Sequence, residues 1–179
     1  SCWPMVNATG SAIVAVAPHQ LAACIGIESA ADDAWRVPLA QVDAFAYESI
    51  TTIYLGFTGP VSFPEPLLRL DDAPGHWAFD RSAALGRSGT SGAASLVAVV
   101  ISAGGAHDAL DRATLAASVE AQLRRLAPDL PALAWSRVIA ERRATYSCTP
   151  ALRRPSSGRL APGLFLAGDY TDAEFPATL

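Results

Sequence analysis

The sequence predicts an α/β protein whose middle part is of the α+β type. Three short runs of apolar residues, 12–17, 96–101 and 164–167, are typical of strands buried inside a sheet. A helical repeat of leucine and valine follows Asp111, between the second run and the third. With 179 residues, of which 51% are hydrophobic and 17% charged, the chain has the composition of a packed protein.

The chain opens with a strand and a short helix. Residues 12–17 lie between Gly10 and Pro18 and are predicted to form a central strand covered on both faces. Residues 19–24 contain good helix formers and stop before Gly26, which predicts a short helix. We expect this helix to turn the chain away from the sheet.

The middle part opens with a strand and a proline-rich loop. Residues 47–57 are rich in Thr, Ile and Tyr, which favours a strand with Ile50, Thr52 and Tyr54 on one face. Prolines then exclude regular structure as far as residue 74. They are Pro60, Pro64, Pro66 and Pro74. Residues 76–80 predict a short strand after this loop.

A turn, a strand, a helix and another strand complete the middle part. Residues 82–95 are rich in Gly and Ser and predict a turn that leads into the apolar strand 96–101. The following helix is capped by Asp111 or Thr114. Its apolar stripe consists of Leu115, Val119, Leu123 and Leu126. Residues 135–146 carry β-branched and aromatic side chains that suggest a strand in spite of their charges.

The last predicted strand, residues 164–167, ends in Gly168 and Asp169. Open α/β sheets bind ligands beyond the carboxyl ends of their strands. A glycine at that point lets a ligand approach the backbone closely. We therefore expect a ligand just beyond this strand.

Charge and cysteine content exclude several kinds of partner. The net charge is −4, and all 13 basic residues are arginines in short, separated groups, so we expect no nucleic acid partner. The three cysteines lie far apart, which predicts neither a metal site nor a disulfide framework. No apolar run approaches the roughly 20 residues that a membrane-spanning helix needs. The Lys-free, Ala-rich usage suggests a GC-rich bacterial genome.

Both ends of the chain suggest a piece of a longer protein. It starts at Ser1 without Met, and it stops at Leu179, directly after a Pro-Ala-Thr sequence. No secretory signal sequence is visible at the start. We therefore expect a fragment.

The end of the chain resembles the C-terminal FAD-binding segment of the flavin-containing amine oxidase and phytoene desaturase superfamily. The match consists of Gly-Leu-Phe-Leu-Ala-Gly-Asp at residues 163–169 and Phe-Pro-Ala-Thr at 175–178. The resemblance implies a cofactor site built from Gly168, Asp169, Pro176, Ala177 and Thr178. A carboxylate there can accept hydrogen bonds from sugar-chain hydroxyls, and a helix N-terminus would supply N–H donors and positive charge.

Four segments in order narrow the resemblance to the squalene-associated FAD-dependent desaturases, the hydroxysqualene dehydroxylases. They are residues 49–55, 75–81, 143–150 and 167–172. This resemblance implies that the hydroxyl of hydroxysqualene is replaced by hydride from reduced FAD, giving squalene for hopanoid biosynthesis. It also implies that an isoprenoid substrate contacts Tyr54, His76 and Trp77, for which ordinary core packing is the alternative.

The resemblance implies a partial FAD-binding Rossmann-like domain with an inserted mixed-sheet substrate domain. Residues 1–35 and 148–179 would belong to the FAD-binding domain, and residues 36–147 to the substrate domain. Neither the Gly-x-Gly-x-x-Gly pattern that seats the FAD pyrophosphate nor the Glu-Gly-Ala expected after residue 179 occurs in the chain. We therefore expect the chain alone to be inactive and to hold FAD weakly.

Several alternatives stay open at this point. The catalytic acid is unassigned, with His19, His76, Asp80, His107 and Tyr146 as candidates that structural roles also explain. A carotenoid or phytoene desaturase, an amine oxidase, or a non-catalytic module without its FAD half would share parts of the pattern. We expect a cytoplasmic protein that contacts the inner face of the membrane peripherally, and the sequence leaves its oligomeric state open.

Overall fold

The structure, a computed structural model, describes residues 10–26, 33–84 and 93–171. It divides the chain into two compact units. The first unit comprises Ser1–Tyr47 and Thr145–Leu179, and the second comprises Glu48–Ala144. The second unit is therefore an insertion in the sequence of the first.

In its described residues, the first unit contains a three-stranded sheet and two α-helices. Its strands are β1 (Ala12–Val14), β7 (Gly158–Ala161) and β8 (Leu164–Leu166), in the order β1-β8-β7. Strand β1 runs parallel to β8, and β7 runs antiparallel to it. The helices are α1 (Leu21–Ile25), which ends at Gly26 as predicted, and α2 (Asp33–Asp43). The sequence analysis did not predict α2 or β7.

The core of the first unit joins its two sequence segments. Leu21, Trp35 and Phe45 from the first segment pack with Tyr146 and Tyr170 from the second. Trp35 belongs to α2, so this helix is part of the first core. The sequence-based domain boundaries, 1–35, 36–147 and 148–179, stay a prediction.

Strand β1 differs from its prediction as a covered central strand. It is three residues long, and Ile13 is 69% exposed. Among the described residues it has a neighbouring strand on one side only, because β8 lies between β1 and β7. The apolar run therefore forms the edge of this sheet, where one row of backbone groups has no strand partner in the described part of the chain.

The second unit contains a five-stranded antiparallel sheet and a long helix. Its strand order is β3-β4-β5-β2-β6. The strands are β2 (Tyr47–Phe57), β3 (Leu67–Arg69), β4 (Trp77–Asp80), β5 (Ser95–Ser102) and β6 (Leu133–Tyr146). Its helices are the short α3 (Arg81–Ala84) and α4 (Arg112–Leu126).

Alternation along the strands separates the two faces of this sheet. Ile53, Leu55 and Phe57 point towards the core with Val97 and Val99 of β5. Helix α4 covers this side, and its buried residues include Leu115, Val119 and Leu123, as predicted. Leu126, the last residue of the predicted stripe, is instead 54% exposed at the end of the helix. The carboxylate of Asp111 caps the helix by accepting hydrogen bonds from the N–H groups of residues 113 and 114.

Most of the predicted elements of the second unit are confirmed, and one part of the predicted loop is wrong. Strand β2 has the predicted bounds, and β4, β5 and β6 lie where the sequence placed strands. Strand β3, however, lies inside the proline-rich stretch between Pro66 and Pro74. An edge strand pairs on one side only, so the flanking prolines do not interrupt its hydrogen bonds to β4. Part of the predicted turn, residues 85–92, lies outside the described residues.

Candidate functional site

The predicted ligand edge of the first unit is formed by two parallel strands. Because β1 and β8 run in the same direction, with Val14 opposite Leu166, their carboxyl ends lie at one edge of the sheet. The N–H of Ala167 donates to the carbonyl of Val14 over 3.0 Å, so the pairing extends past β8. Gly168 follows, and the chain then forms a 3₁₀ turn over Asp169–Thr171.

Gly168 occupies a place with no room for a side chain. A Cβ atom added to it would lie 2.6 Å from Cε1 of Tyr170, and its φ angle is +158°. Its carbonyl accepts hydrogen bonds from the N–H of Thr171 at 3.1 Å and from the Thr171 hydroxyl at 2.7 Å. The close approach of the Tyr170 ring and these two bonds fix the backbone around Asp169.

Asp169 is held through its backbone, which leaves its side chain at the surface. Its carbonyl accepts hydrogen bonds from the Tyr146 hydroxyl at 3.4 Å and from Arg154 Nη1 at 3.5 Å. The same Arg154 atom donates to the Tyr146 hydroxyl at 2.5 Å. The Asp169 carboxylate is exposed, and no described residue donates a hydrogen bond to it. It is free to accept hydrogen bonds from a ligand.

Two buried tyrosines contact this turn. Tyr170 is fully buried, and burial raises its pKa to about 12, with the nearby Asp169 charge adding to the effect. Burial also raises the pKa of Tyr146, although the hydrogen bond from Arg154 opposes that rise. Both phenols are therefore neutral at neutral pH. The Tyr146 hydroxyl forms hydrogen bonds, whereas the buried Tyr170 hydroxyl has no partner among the described residues.

Gly168 and Asp169 have the chemistry that the FAD site implied by the sequence resemblance requires of them. The glycine cannot carry a side chain, and the neighbouring carboxylate has free acceptor positions beside an exposed backbone turn. Hydroxyl groups of a sugar chain are suitable donors to that carboxylate. Pro176, Ala177 and Thr178 lie outside the described residues, so their part in the site stays a prediction.

The second unit presents a largely apolar sheet surface on the side opposite α4. We call it the open face, and it is formed by Tyr54, Gly56, Leu67, Trp77, Phe79, Ala98, Trp135 and Ile139. Cross-strand pairing places Tyr54 and Phe79 on either side of Ala98, and Leu67 opposite Phe79. Trp77 is 38% exposed, Leu67 45% and Ile139 47%. Exposed apolar side chains gathered on one surface are typical of a binding surface.

Gly56 and Trp135 belong to the same surface. A Cβ atom on Gly56 would overlap the Trp135 indole, so the glycine lets this ring lie directly against β2. The indole Nε1 is buried and has no hydrogen-bond partner among the described residues. Neither Gly56 nor Trp135 was predicted from the sequence to belong to a binding surface. The feature that could have revealed them is a glycine inside an otherwise continuous strand.

His76 does not share the open face with Tyr54 and Trp77. It precedes β4, and its Nδ1 accepts a hydrogen bond of 3.1 Å from the N–H of Ser102. Its Nε2 lies 3.9 Å from a carboxylate oxygen of Asp72. The structure therefore gives His76 contacts that hold the end of the sheet together, while Trp77 lies beside it under the Arg69 guanidinium at 5.3 Å.

The other candidate acids also have local contacts. Asp80 accepts a hydrogen bond of 2.8 Å from the N–H of Ser82, and Tyr146 contacts Arg154 and the Asp169 carbonyl. His19 makes an edge contact with the Tyr47 ring at 5.7 Å. In the described part of the chain, no group of three His, Cys, Asp or Glu side chains could hold a metal ion.

Arg154 and its contact with Tyr146 were absent from the predicted site. The sequence showed Arg153 and Arg154 as a short basic pair, which suggested only solvated charge. The guanidinium instead lies 5.8 Å from the centre of the Tyr146 ring and donates to the carbonyl of Asp169, 15 positions further along the chain. Nothing in the local pattern distinguishes this arginine from its neighbour.

Most of the chain matches the model of a known protein family. The model of the family described as flavin-containing amine oxidoreductases matches residues 7–179. No curated protein matches the chain.

Among the described residues, no helix combines the length and the hydropathy that spanning a membrane requires.

Two solved structures have a similar fold. An oxidoreductase from Methanosarcina mazei is 13% identical, with a TM-score of 0.59 over 89% of this chain and 37% of its own. Reduced UDP-galactopyranose mutase is 18% identical, with a TM-score of 0.50 over 74% of this chain and 28% of its own. The chain thus spans about a third of the length of these structures. The predicted fold class, α/β with an α+β middle part, is confirmed, since the described residues form helices and two sheets and have a fold similar to part of these structures.

Proposed function

Because the chain belongs to the family of flavin-containing amine oxidoreductases, we propose that it is part of an FAD-dependent hydroxysqualene dehydroxylase. The cofactor FAD and the oxidoreductase class follow from the family. The substrate is our proposal, supported by the four sequence segments and, above all, by the open face. Bound FAD, when reduced, supplies the hydride that this reaction needs.

The first unit has the residues to bind the cofactor. The Asp169 carboxylate accepts hydrogen bonds from cofactor hydroxyls, and Gly168 lets the cofactor approach the backbone. Tyr146 and Arg154 hold the Asp169 carbonyl and thereby orient the carboxylate. These residues position the cofactor and take no chemical step themselves.

The second unit has a surface suited to a long apolar substrate. The open face combines flat aromatic rings with exposed aliphatic side chains and carries few hydrogen-bonding groups at its centre. Isoprenoid chains are recognised through burial of apolar area, which contributes roughly 25 cal/mol per Å² removed from water. Such a surface also excludes water from the carbon atom whose C–O bond breaks as the hydroxyl leaves with a proton as water.

Replacing Asp169 with asparagine is expected to weaken FAD binding by about tenfold or more, because hydrogen bonds to an ionised acceptor are stronger than those to an amide. The measurement is the dissociation constant for FAD, obtained by flavin fluorescence in the full-length enzyme. Asp129→Asn, on the loop after α4 in the second unit, serves as the control. Equal FAD affinity for Asp169→Asn and the unmodified protein would contradict the assigned role.

Replacing Trp77 with serine is expected to raise KM for hydroxysqualene by about tenfold while leaving kcat nearly unchanged. The indole would be covered by the substrate chain in the ground state and the transition state alike, so its loss removes uniform binding. Leu126→Ser, which changes an exposed apolar residue on α4, is the matched control. An unchanged KM for Trp77→Ser would remove Trp77 from the substrate surface.

Turnover distinguishes the proposed substrate from the alternatives. The full-length enzyme with reduced FAD is expected to convert hydroxysqualene to squalene under anaerobic conditions. Phytoene and a primary amine, offered with oxidised FAD, test a desaturase and an amine oxidase. Conversion of either one without conversion of hydroxysqualene would overturn the proposed substrate and leave the family assignment intact.

We also propose a cytoplasmic location with peripheral membrane contact. The apolar substrate favours this location, and fractionation of cells into soluble and membrane parts would test it.

A further inference from the structure

A polar cavity of about 450 Å³ lies on the α4 side of the sheet in the second unit. It is formed by β2, β6, the turn before α4 and the first turn of that helix. Thr51 and Leu115, which point away from the open face, line its inner part. The cavity is therefore separate from the surface that we assign to the substrate and has no part in the proposed reaction.

Two arginines line this cavity without a carboxylate partner. Arg112 is the first residue of α4, and Arg142 lies on β6. Neither forms an ion pair with any described residue. The single carboxylate in the lining, that of Asp108, accepts a hydrogen bond of 3.0 Å from the N–H of Gly105. Two arginines against one carboxylate leave the lining with an excess of positive charge.

The wall of the cavity also contains two polar groups that lack hydrogen bonds. The side chain of His107 is 8% exposed, and its Nε2 lies 3.4 Å from Asp108 Oδ1 without the geometry of a hydrogen bond. The hydroxyl of Ser49 is buried and has no hydrogen-bond partner among the described residues. Buried groups of this kind are usually satisfied in folded proteins. An acceptor with several oxygen atoms would satisfy them.

We propose that this cavity binds a phosphate group. The planar donor fork of an arginine can bind one edge of a tetrahedral oxyanion, so Arg112 and Arg142 in the lining could each bind one edge, and the Ser49 hydroxyl could supply a third donor. A carboxylate has two oxygen atoms and would occupy one fork only. The phosphate belongs to a small molecule or stands alone, and a cavity of about 450 Å³ has room for a small molecule that carries it.

Titration calorimetry of the full chain with inorganic phosphate tests the site, with ionic strength held constant by sodium chloride because screening alters surface charge effects. Saturable binding with one phosphate per chain is expected. Arg142→Ala and Arg112→Ala should each weaken it by about tenfold or more, since hydrogen bonds to charged groups are among the strongest. Ser49→Ala should weaken it less.

Arg137→Ala is the matched control, because Arg137 lies on the same strand as Arg142 but on the opposite face by alternation. The control should keep full phosphate affinity. Both arginines are exposed, and equal melting temperatures of the two variants without phosphate would show that each is folded. No saturable heat, an equal loss in Arg137→Ala, or acetate binding as tight as phosphate binding would overturn the proposal. Its failure would leave FAD binding and turnover unaffected.

Discussion

Replacing Gly168 with alanine is expected to lower FAD affinity by at least about tenfold and the free energy of unfolding by about 2 kcal/mol. The added methyl group would lie 2.6 Å from Cε1 of the buried Tyr170 ring, and the ring cannot move without disturbing the core around it. The backbone would shift instead, and Asp169, the next residue, would move with it.

Flavin fluorescence and chemical denaturation of the full chain measure the two effects of Gly168→Ala. Gly10→Ala is a suitable control, since a Cβ atom at Gly10 would have no neighbour within 4 Å among the described residues. In a double-mutant cycle, Gly168→Ala combined with Tyr170→Leu should cost less stability than the sum of the single changes. Additive costs would show that the Tyr170 ring is not the cause.

Replacing Gln122 with leucine is expected to lower the free energy of unfolding by about 3 kcal/mol. Gln122 is fully buried on α4, and its amide serves both backbone groups of the buried Gly75. Its oxygen accepts from the Gly75 N–H at 2.7 Å, and its nitrogen donates to the Gly75 carbonyl at 2.9 Å. Leucine would leave both backbone groups buried without partners.

Urea denaturation measures the stability of Gln122→Leu, and Arg125→Ala is its control. Gln122 also donates to Asp71, and this hydrogen bond is the main reason why the pKa of Asp71 is lowered. Arg125 contacts the same carboxylate at 3.3 Å, but at the surface, where such pairs contribute little. A cost for Gln122→Leu as small as that for Arg125→Ala would contradict the role of the buried amide. Because Gly75 precedes His76 and Trp77, the change should also disturb one edge of the open face.

The sequence alone was sufficient to predict those elements that one local pattern of residues determines. Thr, Ile and Tyr residues gave strand β2 its bounds, and Asp111 with its apolar repeat gave α4. The Gly-Asp pair after an apolar strand likewise placed the turn at the ligand edge. For α4 and the turn, neighbours in the sequence provide the determining hydrogen bonds. Strand β2 pairs with the distant β5, but its own residues favour the extended backbone strongly enough to reveal its bounds.

The sequence alone was insufficient to predict features whose contacting residues come from distant parts of the chain. Strand β3 exists because β4 pairs with it across seven residues of loop and turn, and the prolines around β3 in the sequence give no indication of that pairing. The support of Asp169 by Tyr146 joins residues 23 positions apart. The open face likewise depends on strand order, because Trp135 reaches Gly56 only through the pairing of β6 with β2. Periodicity reveals which residues share a face but not which strands are neighbours.

Because Trp135 packs against Gly56, ligand binding to the open face can be followed by tryptophan fluorescence. An indole packed against a strand, with its N–H buried, emits at shorter wavelength than an indole in water, and Trp77 on the same face is partly in water. A molecule that covers the face would therefore shift the fluorescence of Trp77 more than that of Trp135. Binding to this surface can thus be followed in real time, without a label and without turnover.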